Sequence, residues 1–175
     1  MDLDQLIKRA QAGDQSSFAQ VFDYCYDIMY RYALKWAGDP DDAADITQQS
    51  SIKLAQNIKQ FRFESAFSTW LYRLVINCAK DWQRAQQKHS HDSVDAAHAS
   101  EEFQSPENTG FNWILLRQIL QQIQSMGEGY KEAVILVLGE GLSHLEAAEI
   151  LSVKESTVSW RIHQARQFIA SAKEC

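Results

Sequence analysis

Cysteine, proline and long apolar runs are what this 175-residue chain has least of, and each shortage excludes something. Its three cysteines, Cys25, Cys78 and Cys175, stand far apart and form no CxxC pair, so neither a zinc site nor a disulfide framework is expected. Cys25 and Cys78 read as small core residues. No apolar stretch approaches the ~18 residues of a membrane span; the longest strongly apolar run is Ala133–Leu138. The opening residues, MDLDQLIKRAQAGD, are amphipathic and mixed in charge, without signal-peptide architecture. The expected location is the cytoplasm. Nucleophile elbow, phosphate loop and metal-spaced carboxylates are all missing, which argues against an enzyme, a metal and a cofactor. His89, His91 and His98 offer only a loose H-S-H arrangement.

Net charge is −6, which at first speaks against nucleic acid, but its distribution matters more. Residues 1–88 carry 11 basic and 11 acidic side chains. Residues 89–112 carry no basic side chain and five acidic ones: Asp92, Asp95, Glu101, Glu102 and Glu107. Residues 113–175 carry six basic and seven acidic. The acidity therefore sits in the middle, and neither flank is a strong polyanion binder alone.

Strand signals are nearly absent and a helical period dominates. Helices are expected over Leu3–Ala12, from after Asp14 to about Trp36, from Pro40 to about Ile58, and from about Ser68 to Lys88. Gly13 and Gly38 punctuate them, and Asp39-Pro40 supplies an N-cap followed by proline at the first helical position. From residue 89 to 112 the period is lost among His, Ser, Asp and Ala, with Pro106 and Gly110, as in a linker. It returns over Trp113–Met126 and Tyr130–Leu138. Ser143 and Glu146 then form a capping box that opens a short helix ending near Leu151, and a last helix runs from about Lys154 to Ala172. The expected fold is all-α: two small helical domains, 1–88 and 113–175, joined by a flexible acidic linker, 89–112.

Residues 142–169, LSHLEAAEILSVKESTVSWRIHQARQFI, have helix-turn-helix form. Leu145, Ala148 and Leu151 should face inward from the first helix, with Val158, Ile162, Ala165 and Ile169 inward from the second. Small Ala147 and Ala148 permit a close helix crossing. The opposite face presents Ser156, Thr157, Ser159, Trp160, His163 and Gln164 to a major groove, with Arg161 and Arg166 flanking it where phosphates run. Alone, such a tail also fits a response-regulator output domain or a transposase.

What precedes the tail narrows the choice. The runs AGDQSSFAQVFDYCYDIMYRYALKWAGDPDDAADITQQ and FRFESAFSTWLYRLVINCAKDWQR resemble region 2 of extracytoplasmic-function sigma factors. The tail YKEAVILVLGEGLSHLEAAEILSVKESTVSWRIHQARQFI resembles region 4 of the same family. The resemblance implies a promoter-specificity subunit that binds core RNA polymerase, with region 2 melting and reading the −10 element and region 4 reading the −35 element of promoter DNA. An anti-sigma factor is implied as a further partner.

The residues make physical sense of these roles. Holding an extruded base needs apolar and aromatic walls with polar groups at the rim. Phe61, Phe63, Phe67, Trp70 and Tyr72 cluster in sequence, interleaved with Arg62, Arg73, Lys80 and Arg84 for phosphates. Asn77 and Asp81, one turn apart, stand at the family's base-contacting positions. By the same resemblance the third helix docks on the polymerase through Asp41, Asp42, Asp45, Gln48 and Gln49. Ala44 and Gln49 stand where the family carries acids; Thr47, Ser50 and Ser51 nearby read as ordinary solvated helix residues, although a phosphate on one of them would restore the charge. The competing reading is a conventional dimeric helix-turn-helix regulator, for which the chain shows no dimerisation element.

Overall fold

The computed structural model describes residues 2–92 and 113–172, and among these all regular structure is helical. Helix α1 (Leu3–Gln11) leads into α2 (Gln15–Ala37), which starts where the Asp14 carboxylate accepts from the amides of Ser16 and Ser17. It stops at Gly38, whose φ of 69° only glycine adopts cheaply and whose N–H caps the Leu34 carbonyl. One residue later the Asp39 side chain caps α3 (Pro40–Asn57), with Pro40 in the first turn. A single 3-10 turn, Ile58–Gln60, and a short loop precede α4 (Phe67–Asp92). This helix continues four residues into the segment read from sequence as linker. The remaining linker residues, His98 and the acidic positions 95–107 included, lie outside the described residues, as does Cys175.

The second half comprises α5 (Trp113–Ser125), α6 (Tyr130–Val134), α7 (His144–Leu151) and α8 (Glu155–Ala172). The run after α6 widens into a π turn over Ile135–Gly139. The expected capping box opens α7: Ser143 Oγ accepts from the Glu146 amide and Glu146 returns the bond to the Ser143 N–H at 2.8 Å. Ser152, in the left-handed region at φ 54°, makes the tight turn into α8.

The expected stripes of both halves join in one continuous apolar core. Ile7, Val21, Cys25, Met29, Ile46, Leu54, Leu71, Val75 and Cys78 are fully buried among α1–α4. Ile123, Ile135, Leu136, Val158, Ile162 and Ala165 are buried among α5–α8. Burial pushes the Cys25 thiol up to about 12, the behaviour of an inert core cysteine.

One inward residue of α7 is corrected. Leu145 is 55% exposed, while Ala147, Ala148 and Ile150 face inward. The small pair Ala147–Ala148 sets the side of α7 that meets α8. Leu145 lies two positions before Ala147, about 200° around the helix, so both cannot face the core.

Candidate nucleic-acid interface

The loop before α4 is held by a side chain from α1. The Gln11 amide donates to the carbonyls of Ile58 at 2.8 Å and Phe61 at 2.9 Å, tying 50 residues of chain together at one point. On this anchor four rings assemble. Phe61 lies 4.7 Å from Phe63, 5.2 Å from Phe67 and 5.7 Å from Trp70 between centroids, and Phe67 stacks on Trp70 at 5.5 Å. Phe61 and Phe67 are buried and form the floor; Phe63 and Trp70 are half-buried and form the rim. Phe63 sits at φ 60°, an unusual backbone for a bulky residue, with the Lys8 ammonium 5.1 Å from its ring. Arg62 beside it is exposed.

Tyr72 does not join this cluster. It lies two residues past Trp70, on the other side of α4, where its ring meets Tyr32 edge-on at 6.2 Å. Its hydroxyl donates to Glu140 Oε2 at 2.9 Å, and burial pushes its ionisation upward.

Arg73, Asn77, Lys80 and Arg84 recur at helical spacing along one side of α4. Asn77 is exposed and makes no side-chain hydrogen bond among the described contacts. Asp81 holds Lys53 of α3 at 3.0 Å and Arg84 at 3.1 Å, so it orients two cations. Arg73 and Lys80 are engaged elsewhere. Arg73 donates to the backbone carbonyls of Glu149 and Ile150, and Lys80 pairs with Glu132 at 2.7 Å.

On α8, Ser156, Trp160, His163 and Arg166 are exposed along one face. Trp160, 55% exposed, rests its ring 5.8 Å from Tyr130, which explains how a large aromatic stays ordered there. Ser159 is half-buried and hydrogen-bonded to His144 Nδ1 at 2.7 Å, so α7 fixes its orientation. Gln164 and Thr157 are half-buried. Arg161 is half-buried, and its guanidinium lies where a Cβ on Gly129 would stand. Arg166 is thus the freer of the two arginines expected at phosphates.

On α3, Asp41, Asp45, Gln48 and Gln49 are exposed, with Ile52, 53% exposed, on the same helix. Asp42 is half-buried; burial and the neighbouring Asp39, Asp45 and Asp41 raise its carboxyl above the usual range, against Arg117. The hydroxyls near the missing acids, read from sequence as solvated helix residues, are corrected. Thr47 and Ser50 face the core, with Thr47 Oγ1 donating to the Ala43 carbonyl at 2.7 Å and Ser50 Oγ to that of Ile46 at 2.8 Å. Half-buried Ser51 donates likewise to Thr47. Missing acids at Ala44 and Gln49 are not made good by Thr47 or Ser50 in this fold.

Sequence reasoning missed Gln11, Lys8 and Glu140. Only Glu140 carried a signal, as a lone carboxylate between Gly139 and Gly141 directly after the most apolar run of the chain. No cluster of potential metal ligands occurs among the described residues. No helix among them is long and apolar enough to cross a membrane.

Comparison with known proteins agrees with this geometry. The family described as Sigma-70 region 2 matches residues 21–89, and the family described as Sigma-70, region 4 matches residues 116–169. The ECF RNA polymerase sigma-E factor of Haemophilus influenzae is 34% identical, over 94% of this chain and 91% of its own length. The ECF RNA polymerase sigma factor SigW of Bacillus subtilis is 31% identical, over 95% and 94%. In three dimensions the chain is similar to CnrH, solved in complex with the cytosolic domain of CnrY, with a TM-score of 0.72 and 20% identity over 99% of this chain and 98% of that one. It is also similar to the sigma factor RpoE of Bartonella quintana, solved with the anti-sigma factor NepR, with a TM-score of 0.65 and 21% identity over 86% and 92%. With two helical domains matching regions 2 and 4 and full-length relatives on both sides of the linker, the chain belongs to the extracytoplasmic-function sigma factors, non-enzymatic subunits that direct promoter-specific transcription by RNA polymerase.

Proposed function

We propose that residues 1–88 melt and read the −10 element while α7 and α8 read the −35 element, both on core RNA polymerase in the cytoplasm. The observation that carries this reading is the aromatic recess of Phe61, Phe63, Phe67 and Trp70 at the head of α4, bordered by Arg62 and followed along the helix by exposed Asn77. Its floor and rim suit an unstacked base, and Asn77 with Asp81 suits the polar edges of neighbouring bases. Arg73, Lys80 and Arg84 serve phosphates. On α8, Ser156, Trp160 and His163 face the groove, joined by Thr157, Ser159 and Gln164, while Arg166 and, less directly, Arg161 position the backbone. The α3 face of Asp41, Asp42, Asp45, Gln48 and Gln49 docks on the polymerase. Of two neighbours of the same fold, one was solved with the cytosolic domain of CnrY and one with the anti-sigma factor NepR, which favours an anti-sigma partner here.

Selection from a randomised −35 library tests the assignment on α8. Changing His163 to Ala alters preference at particular positions, whereas changing Arg166 to Ala weakens all promoters evenly and flattens the salt dependence by ~0.9 per lost phosphate contact. Re-specified bases from Arg166→Ala with silent His163→Ala would show that the register is wrong.

A further inference from the structure

The loop that carries the aromatic recess is built on α1 as well as on α4. Ile7 and Ala10 bury one side of α1, which packs on α2 and on the 3-10 turn before the loop. The Gln11 amide, holding the carbonyls of Ile58 and Phe61, fixes the last turn of α1 beside the recess. Lys8 stands three residues earlier, at a spacing that brings two side chains to one side of a helix. Its ammonium lies over the Phe63 ring, 5.1 Å from the centroid. Phe63 therefore has two neighbours: Phe61 of the floor, at 4.7 Å between centroids, and a cation supplied by another helix.

This contact leaves most of the cation free. An ammonium has three donors, and one ring face takes the direction of one of them. Lys8 is exposed and its ammonium makes no ion pair among the described residues, although Asp4 stands one turn before it on the same helix. Its neighbour Arg9 differs, because the Asp14 carboxylate that caps α2 holds that guanidinium. Lys59, Arg62 and Glu64 of the loop are all exposed. Two cations against one carboxylate leave the loop a single positive charge, and Lys8 adds a second.

Sites for single strands combine these two parts, a ring on which a base stacks and a cation that follows the backbone. The sugar-phosphate chain of a base drawn into the recess stays outside it, at the rim where Lys8 stands. We propose that Lys8 belongs to the −10 site, where it binds the phosphate beside the unstacked base and steadies Phe63 against that base. In this way α1 takes part in promoter opening together with α4. Lys8 recognises the backbone of a melted strand and no base, so it adds affinity and leaves sequence preference alone. Its role rests on the reading given above, that the recess holds an unstacked base.

The test uses the full chain on core polymerase, with the non-template strand of a promoter that this holoenzyme opens in run-off transcription. Abasic sites placed one at a time across the −10 element find the nucleotide whose base enters the recess. Methylphosphonates, which remove the charge of single phosphates, are then scanned over the same stretch. In wild type, neutralising the phosphate next to the abasic-sensitive nucleotide should weaken binding about 2- to 5-fold, as for an exposed ion pair. Lys8→Gln should weaken binding of the unmodified strand by the same factor and lose its sensitivity at that phosphate. Its salt slope should fall by ~0.7, the share of one phosphate on a single strand, with the abasic profile unchanged. Lys8→Arg keeps the charge and should keep both the slope and the phosphate sensitivity. Helical content should match wild type in both variants, because Lys8 is exposed.

A Lys8→Gln protein with unchanged slope and methylphosphonate profile, whether or not it binds more weakly, overturns the phosphate contact and leaves Lys8 as a prop for Phe63. A changed base preference overturns it as well, by placing Lys8 on a base. If no abasic site weakens wild type, the recess reading itself falls, and the role of Lys8 falls with it.

Discussion

Changing Phe63 to glycine separates what the aromatic recess does for stability from what it does for function. In the folded chain Phe63 stands at φ 60°, which costs an L-residue about 1–2 kcal/mol that glycine would recover. Against that gain stand three losses. The half-buried ring forfeits about 1 kcal/mol of burial. Its pairing with Phe61 at 4.7 Å forfeits about 0.5–1.5 kcal/mol. A more flexible unfolded chain costs a further ~0.4–1 kcal/mol. The balance is a net loss of about 1 kcal/mol, or roughly 4–8 °C in Tm for a domain of this size. Promoter opening should suffer more, because a stacked base is worth ~1–3 kcal/mol, or roughly 5- to 150-fold. Phe61→Leu is the contrasting change, since Phe61 is buried and forms the floor: it should lower Tm while leaving most promoter opening intact. Permanganate reactivity of thymines around the start site, with core polymerase present, reads opening directly. A Phe63→Gly protein that opens promoters as wild type does would refute the base-holding role.

Asp45→Lys reverses an exposed charge on α3 and should weaken binding to core polymerase at least tenfold in a direct binding assay, whereas Ala44→Glu with Gln49→Glu should tighten it. Ser143→Ala removes one half of the α7 capping box and should cost ~1 kcal/mol, seen as a fall of roughly 4–8 °C in thermal unfolding followed by circular dichroism. Through Glu140, stability should be insensitive to pH in the neutral range. Burial pushes the Glu140 carboxyl up, but Lys35, Tyr72 and Arg31 outweigh it and hold the group below its usual 4.5. A carboxylate depressed in the folded chain stabilises it fully above its unfolded value and loses that contribution as pH falls through the folded value. This contribution to Tm, followed by circular dichroism and compared with Glu140→Gln, should therefore hold between roughly pH 6 and 8 and fall only below about 4.5.

Helix ends were legible because their determinants are local. Asp14, Gly38, Asp39-Pro40 and the Ser143–Glu146 box each act within four residues of the group they satisfy. The faces of α4 and α8 were legible for the same reason, being set by helical period. What those faces touch was not. Nothing near Arg73 in sequence announces that its guanidinium will find carbonyls 76 and 77 residues away. Thr47 and Ser50 read as surface hydroxyls, yet both lie on the buried stripe with Ala43 and Leu54, because a threonine or serine can return its hydroxyl to the carbonyl one turn back and enter a core satisfied. Leu145 misled in the opposite direction, since an eight-residue helix admits two nearly equal apolar stripes and the small residues decided between them.

Promoter recognition should depend on polymerase, because two near-neutral domains and an acidic linker give little counterion-driven attraction to duplex DNA. A gel shift at moderate salt on a promoter found by run-off transcription tests this directly, with the chain alone, with core polymerase alone and with both. The account predicts almost no shift by either component and a specific, start-site-defined complex with both, lost in Asp45→Lys. Tight, sequence-specific binding by the chain alone, unchanged by core polymerase, would contradict it.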